Sequence, residues 1–327
     1  MKNSLLLLAI SLILSCNQKS DKQVNIKSSG QVFGTSYSII YESQVNYQKQ
    51  FDSLFYVINQ SLSTYQTNSI ISKINRNEWT HFDNHFFTVF EASKQIYEAT
   101  NGAFDPTIGA VVNAWDFGPE GKIVGLDSLK VDSLMLGVGF DKIELPKEKF
   151  RLPKNTFLDF NAIAKGYGVD IIAGFLSEKH IENFLVEIGG EIHARGKNAE
   201  KQKPWKVGVE MPRFDGEQSI LKTITITNQA MATSGTYRKF KVDENGNRYS
   251  HIIDTKTGYP SKTNLLSISV LAENCMTADA YATAFKAMGV ESVQEFLESH
   301  PELQVFLIYE NKKGELETLA LNGFPES

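Results

Sequence analysis

An α+β fold is predicted by three features of the chain. Helix-like and strand-like stretches follow one another irregularly, without the βαβ rhythm that builds a parallel sheet. Several strand-like stretches are joined by short turn-forming segments, the mark of antiparallel hairpins. Hydrophobic residues make up 42% of 327 residues that include only two cysteines, so a buried core, not a disulfide frame, must hold the fold.

Taken in order, residues 30–41 (GQVFGTSYSIIY) alternate and are rich in β-formers, predicting a strand. Phe51, Leu54, Phe55, Ile58 and Leu62 recur at three- and four-residue steps, one face of a helix. A second helix is expected over 84–100, with Gly102 just past its end, and a third over 168–180. NFLVEI (183–188), WKVGVE (205–210) and SILKTITIT (219–227) predict strands. YRKFKV and RYSHII flank DENGN, whose Asn245-Gly246 predicts a hairpin turn. Helices are expected over 277–288 and in SVQEFLESH (292–300). A final pair, LQVFLIYE and ETLALNGF, surrounds the NKKGE turn.

The first sixteen residues combine one Lys, an apolar run from Leu5 to Leu14, then Ser15 and Cys16. That run is too short to span a bilayer and fits a secretory signal. Ile13-Leu14-Ser15-Cys16 resembles a bacterial lipobox, which implies cleavage before Cys16, lipid on Cys16 and a membrane-anchored protein facing outside the cytoplasm, in a periplasm where one exists. The alternative is an ordinary signal that happens to end near a cysteine. The expected division is therefore a signal at 1–15, a polar tether at 16–29 and one catalytic domain at 30–327. Formal net charge is −5, and no basic run interleaves with aromatics, which argues against nucleic acid as a partner.

Several common catalytic signatures are absent: no loop ending GK[ST], no HExxH, no CxxC, no GxSxG. Gly137-Val138-Gly139 is half a dinucleotide fingerprint, and His81 and His85 are separated by a loop-like FDN. In AENCMTADAYATAFKAMG, Thr277 can cap a helix and Gly289 can end it, with Asp279 in the first turn. Asp279 then either complements the helix dipole or, sharing a face with Thr283 four residues on, offers hard oxygen ligands to a cation such as Mg²⁺. In LDFNAIAKGYGVD (158–170), Asp159 either caps the next helix or joins Lys165 in bracketing a nucleotide. Gly189-Gly190 marks either a tight bulge or a place where backbone approaches a ligand.

These stretches together resemble the FAD:protein FMN transferase, or ApbE, family. FGTSY (33–37), LSTYQTNSIISKIN (62–75), GAFDPTIG (102–109), LDFNAIAKGYGVD, VEIGGEIHARG (186–196), MATSGTYRKF (231–240), YSHIIDTKTGYP (249–260) and TADAYATAF (277–285) come in the family's order. The resemblance implies a two-lobed, T-fold-related domain with the flavin nucleotide between its lobes. It implies Mg²⁺-dependent transfer of FMN from FAD to a Thr or Ser, with AMP leaving, onto acceptor subunits of extracytoplasmic membrane redox complexes. An FAD pyrophosphatase and a non-catalytic flavin-binding lipoprotein are the competing readings.

Carried over, the flavin contacts fall on Phe33, Tyr65, Ala103, Phe104, Asp105, Asp159, Lys165 and Ile253. The metal positions fall on the Ala162 carbonyl, Asp279 and Thr283. His251 is the candidate base for the acceptor hydroxyl, since an unperturbed imidazole titrates near pH 6.5. Asp254 either orients that imidazole or fixes the turn before Gly258. The chain departs from the family pattern at Asn161-Ala162 for a Gly pair, Phe33 for Met, Thr255 for Pro (implying a looser turn) and Ala282 for an acidic residue (implying one metal carboxylate fewer). Cys275 is expected to be a buried thiol.

Overall fold

The computed structural model of the protein describes residues 24–78, 81–143, 151–237, 240–242, 246 and 248–326. Cys16, the expected signal at 1–15 and Asn245 of the expected Asn-Gly turn lie outside the described residues. Among those residues the strands in chain order are β1 (Asn25–Val32), β2 (Thr35–Glu42), β3 (Phe184–Ile188), β4 (Glu191–Arg195), β5 (Lys197–Asn198), β6 (Lys203–Glu210) and β7 (Ile220–Ile226). They continue with β8 (Gln229–Gly235), β9 (Phe240–Val242), β10 (Arg248–Ser250), β11 (Leu265–Ala272), β12 (Gln304–Glu310) and β13 (Leu316–Leu321). The α-helices are α1 (Gln48–Leu62), α2 (Ile70–Asn75), α3 (Asn84–Ala99), α4 (Gly109–Ala114), α5 (Ser128–Met135), α6 (Ala164–Glu178), α7 (Cys275–Met288) and α8 (Val290–Leu297).

The expected α+β class is observed. An eight-stranded sheet runs β1-β2-β3-β4-β8-β11-β12-β13, and each neighbouring pair is antiparallel. Alternation along the strands sends side chains to two faces. Phe184, Val186 and Ile188 of β3 pack with α1 and α6, and Val305 and Leu307 of β12 pack with α7 and α8. Phe306 and Ile308 point the other way, onto Trp205, Val207 and Ile224 of the β6–β7 pair. The sheet is thus sandwiched between helices and a smaller sheet, which is why β11 is buried along nearly its whole length.

Three expectations change. The single strand over 30–41 is two strands, because Phe33 (φ 50°) and Gly34 (φ 76°) reverse the chain and pair Val32 with Thr35. Positive φ at both central residues is the geometry that matches strand twist in a two-residue hairpin. β1 also begins at Asn25, which takes 25–29 out of the expected tether. The third helix starts at Ala164, four residues early, which places Lys165 in its first turn.

α7 is buried along most of its length: Ala278, Ala280, Ala282 and Ala284 are fully buried, and their small side chains let β8, β11 and α6 approach. Lys286 is also fully buried there, its Nζ donating to Thr263 Oγ1 at 3.0 Å. Burial holds its pKa down to about 8. The unfolded chain, with a lysine near 10.4, therefore binds more protons between those values, so Lys286 makes stability rise with pH across about 8 to 10. Lys286→Met should raise stability by on the order of 2 kcal/mol at pH 7 and flatten that rise, read as urea midpoints measured from pH 7 to 10.

Candidate active site

One cleft of about 870 Å³ gathers nearly every site residue expected from the sequence. Phe33, Tyr65, Ala103, Phe104, Asp105, Asp159, Ala162, Lys165, His251, Ile253, Asp279 and Thr283 all line it. Asp254 does not. Its Oδ1 accepts from the backbone N–H groups of Lys256 (2.8 Å) and Thr257 (3.2 Å), while its own carbonyl accepts from Gly258. Of the two roles open to Asp254, the turn is the one its bonds serve.

The floor of the cleft is charged. Lys165 Nζ lies 2.7 Å from Glu191 Oε1 and 3.5 Å from Asp279 Oδ1, and both carboxylates are almost fully buried. Burial opposes the ammonium, but Asp279 and Glu191 together outweigh it and raise the pKa of Lys165 above its ordinary value. Asp279 Oδ2 accepts the backbone N–H of Gly166 at 3.0 Å. That contact needs α6 and α7 almost touching: a Cβ on Gly166 would sit 2.3 Å from the Cys275 carbonyl oxygen.

Thr283, one turn along α7 from Asp279, has Oγ1 3.3 Å from Ser234 Oγ of β8. Asp279 and Thr283 therefore present a carboxylate and a hydroxyl to one cavity, as four-residue spacing on a helix requires. Among the described residues no group of three or more His, Cys, Asp or Glu could hold a metal. A cation here would add to these the Ala162 carbonyl, which lines the same cleft, and would take the rest of its ligands from substrate and water, the habit of a small hard ion such as Mg²⁺. One ammonium against Glu191 and Asp279 leaves the floor net negative, so an anionic ligand would need such a cation to settle beside it.

The caps differ from expectation. Asn274, not Thr277, caps α7, accepting from the Thr277 N–H at 2.8 Å, so Asp279 falls in the second turn. Gly289 ends the helix as expected, at φ 84°. Asp159 Oδ1 accepts from Asn161 N–H in the turn before α6, whose N-cap position is Ile163.

The rim is built by turns. Phe33, held in a left-handed conformation costly for a bulky residue, packs edge-on to Phe55 and over Gly168. Asp105 accepts from both the N–H and the hydroxyl of Thr107, shaping its own loop, and burial raises its carboxyl pKa. Gly189 and Gly190, both at positive φ, form the tight turn between β3 and β4, and Gly189 also lines the cleft. Tyr65, half-exposed at the mouth, has its pKa raised by burial and by Asp159.

Two departures from the family pattern read differently in three dimensions. Thr255, expected to loosen its turn, donates to the Gly102 carbonyl at 2.6 Å and ties two sides of the cleft together. Ala282 packs into the core and is not among the residues lining the cleft, so an acidic residue here would not face the Asp279 site. Sequence reasoning missed Glu191, Ser234 and Thr233 as cleft residues. The signal for Glu191 was an acidic residue straight after the Gly pair, where a strand leaves a turn at a ligand's edge. Cys275 is buried as expected, and burial pushes its thiol well up in pKa, which makes it unreactive.

Residues 33–307 match the family model described as the ApbE family. The chain belongs to the ApbE family. It is 35% identical to the FAD:protein FMN transferase of Haemophilus influenzae, covering 95% of this chain and 94% of that one. It is also 35% identical to the FAD:protein FMN transferase of Vibrio cholerae, over 96% of each. Its fold matches the solved flavin transferase ApbE from Vibrio cholerae with a TM-score of 0.81 at 32% identity, over 91% of this chain and 97% of that one.

Gly166→Ala should cost about 1 to 3 kcal/mol, because the methyl group forces α6 off α7. A crystal structure of that variant should show the Lys165–Asp279 separation widened beyond 4 Å.

Proposed function

We propose that the cleft binds FAD and transfers its FMN to the hydroxyl of a Thr, or a Ser, of an acceptor protein, releasing AMP. The chain is an FAD:protein FMN transferase, the activity for which its relatives are named. The observation that carries the reading is the convergence of Lys165, Asp279 and Thr283 with His251 in one cleft large enough for a dinucleotide.

Each residue has a task fitted to its chemistry. Phe33, Tyr65, Ala103, Phe104 and Ile253 offer apolar surface to the rings. Lys165, kept charged by its carboxylate neighbours, donates to the pyrophosphate oxygens. Mg²⁺, held by Asp279, Thr283 and the Ala162 carbonyl, would neutralise the charge that builds on the pyrophosphate. His251 takes the proton from the acceptor hydroxyl, whose oxygen bonds to the FMN phosphorus as the bond to the AMP oxygen breaks. His251 is half-buried beside the Phe117 ring, reachable from the cleft by an incoming side chain.

The same proposal extends to location. Cys16 carries lipid, which keeps the enzyme beside acceptor subunits of membrane redox complexes outside the cytoplasm. The Leu5–Leu14 run and the residues ending at Cys16 support it. Among the described residues no helix is long and apolar enough to cross a membrane.

Mass spectrometry of a Thr-bearing acceptor domain, incubated with the protein, FAD and Mg²⁺, should show covalent FMN, lost on chelation and in Asp279→Ala. His251→Ala should keep FAD binding and slow transfer by about 10²- to 10⁴-fold. Release of free FMN and AMP with no gain on the acceptor would replace the transferase reading by a pyrophosphatase. Cys16→Ser should move the protein from the membrane to the soluble fraction on cell fractionation.

A further inference from the structure

Asp170 lies outside the cleft, yet its carboxylate joins the three elements that carry the charged floor. It belongs to α6, five residues beyond Lys165. Its Oδ1 accepts the N–H of Cys275 at 2.9 Å, and its Oδ2 accepts the N–H of Met276 at 2.8 Å. These are the first two N–H groups of α7, which have no partner within the helix. His193 Nδ1 lies 3.0 Å from Oδ1, and because a carboxylate only accepts, this nitrogen carries the proton. His193 is on β4, two residues from Glu191 and so on the same side of the strand.

Asn274 satisfies the next two donors of α7, with its side chain on Thr277 N–H and its carbonyl on Ala278 N–H. Asn274, however, belongs to the chain entering α7 and cannot fix that helix to its neighbours. Asp170 can. A carboxylate at a helix N-terminus is favoured by the dipole, and its bonds to N–H groups are charge-assisted in effect. Asp279 stands one turn from Met276, on a helix whose alanine side chains pack in the core, so a slip of the first turn passes along the helix to the Asp279 carboxylate.

We propose that Asp170, braced by His193, is a positioning residue that locks α7 to α6 and β4, and so sets the separation of Lys165, Asp279 and Glu191 on which metal binding depends. This rests on the reading of the cleft as a metal and pyrophosphate site. Asp170→Asn keeps the shape but turns one acceptor into an NH₂ group that opposes an N–H of α7, which shifts the helix start.

The test is Mn²⁺ binding to the protein with FAD present and acceptor absent, followed by electron paramagnetic resonance, alongside transfer rates at varied Mg²⁺ and varied FAD. In Asp170→Asn, Mn²⁺ affinity and half-saturating Mg²⁺ should worsen by about tenfold or more, as for loss of a residue supporting a metal ligand. Half-saturating FAD should change by less than about threefold, and kcat should largely return at high Mg²⁺, since the rim contacts are untouched. His193→Asn leaves both bonds to α7 in place and should shift Mn²⁺ affinity the same way by a smaller factor, about threefold.

Unchanged Mn²⁺ binding in both variants, with only a lowered Tm or a uniform loss of kcat, would make Asp170 a plain helix cap and overturn the proposal. If Asp170→Asn does not fold, the His193→Asn shift decides by itself: present, it supports the lock; absent, it overturns it. Asp279→Asn serves as the control. Should it bind Mn²⁺ as tightly as the unaltered protein, the cleft reading itself fails, and the lock falls with it.

Discussion

The structure depends on a lysine held between two buried carboxylates. Lys165 reaches Glu191 and Asp279 from the first turn of α6, and none of the three could be buried singly without a penalty of several kcal/mol. Together they satisfy one another well enough to remain, but with one negative charge in excess. On the proposed reading, that excess would favour an anion arriving with a divalent cation over a bare one, so the same three groups would bear on both stability and ligand choice.

Their meeting makes demands on everything around them. Three separate elements, α6 and β4 close in sequence and α7 far from both, must end within hydrogen-bond reach of one another. The sheet supplies β4 next to β8, with α7 packed across β8 and β11. Gly166 removes the side chain that would keep α6 from α7, and the alanines of α7 let the sheet close on its other sides. A core as dense as this transmits displacement without absorbing it, so the first-turn bonds of α7 bear on a site one helical turn away.

The outer strands and the surface helices were legible in the sequence because their signal is local. Phe51 to Leu62 shows a helix face, and SILKTITIT alternates, since one side of each meets solvent. The central strands β8 and β11 were not legible. QAMATSG has few β-branched residues, and LLSISVLA buries Ser267 and Ser269 along with its apolar residues, because each strand is covered on both sides and paired on both edges, so a polar residue does not mark a solvent face. The break at Phe33 was hidden for a different reason: a phenylalanine at positive φ contradicts its own preference and is held there by packing against Phe55.

For the site, the sequence by itself determined which polar and ionisable side chains were available. The ordered motifs named Lys165, Asp279, Thr283 and His251, and the four-residue step of α7 already put Asp279 and Thr283 on one face. Only the tertiary structure decided which groups pair. Asp254 turned inward to its own loop, Thr255 bonded across the cleft to Gly102, Ala282 faced the core, and Glu191, unnoticed in the chain, became the nearer partner of Lys165. The physical reason is one of range. Helix periodicity fixes neighbours within a turn, whereas Lys165 and Asp279 are separated by 113 intervening residues of chain and meet only because the sheet between them has folded.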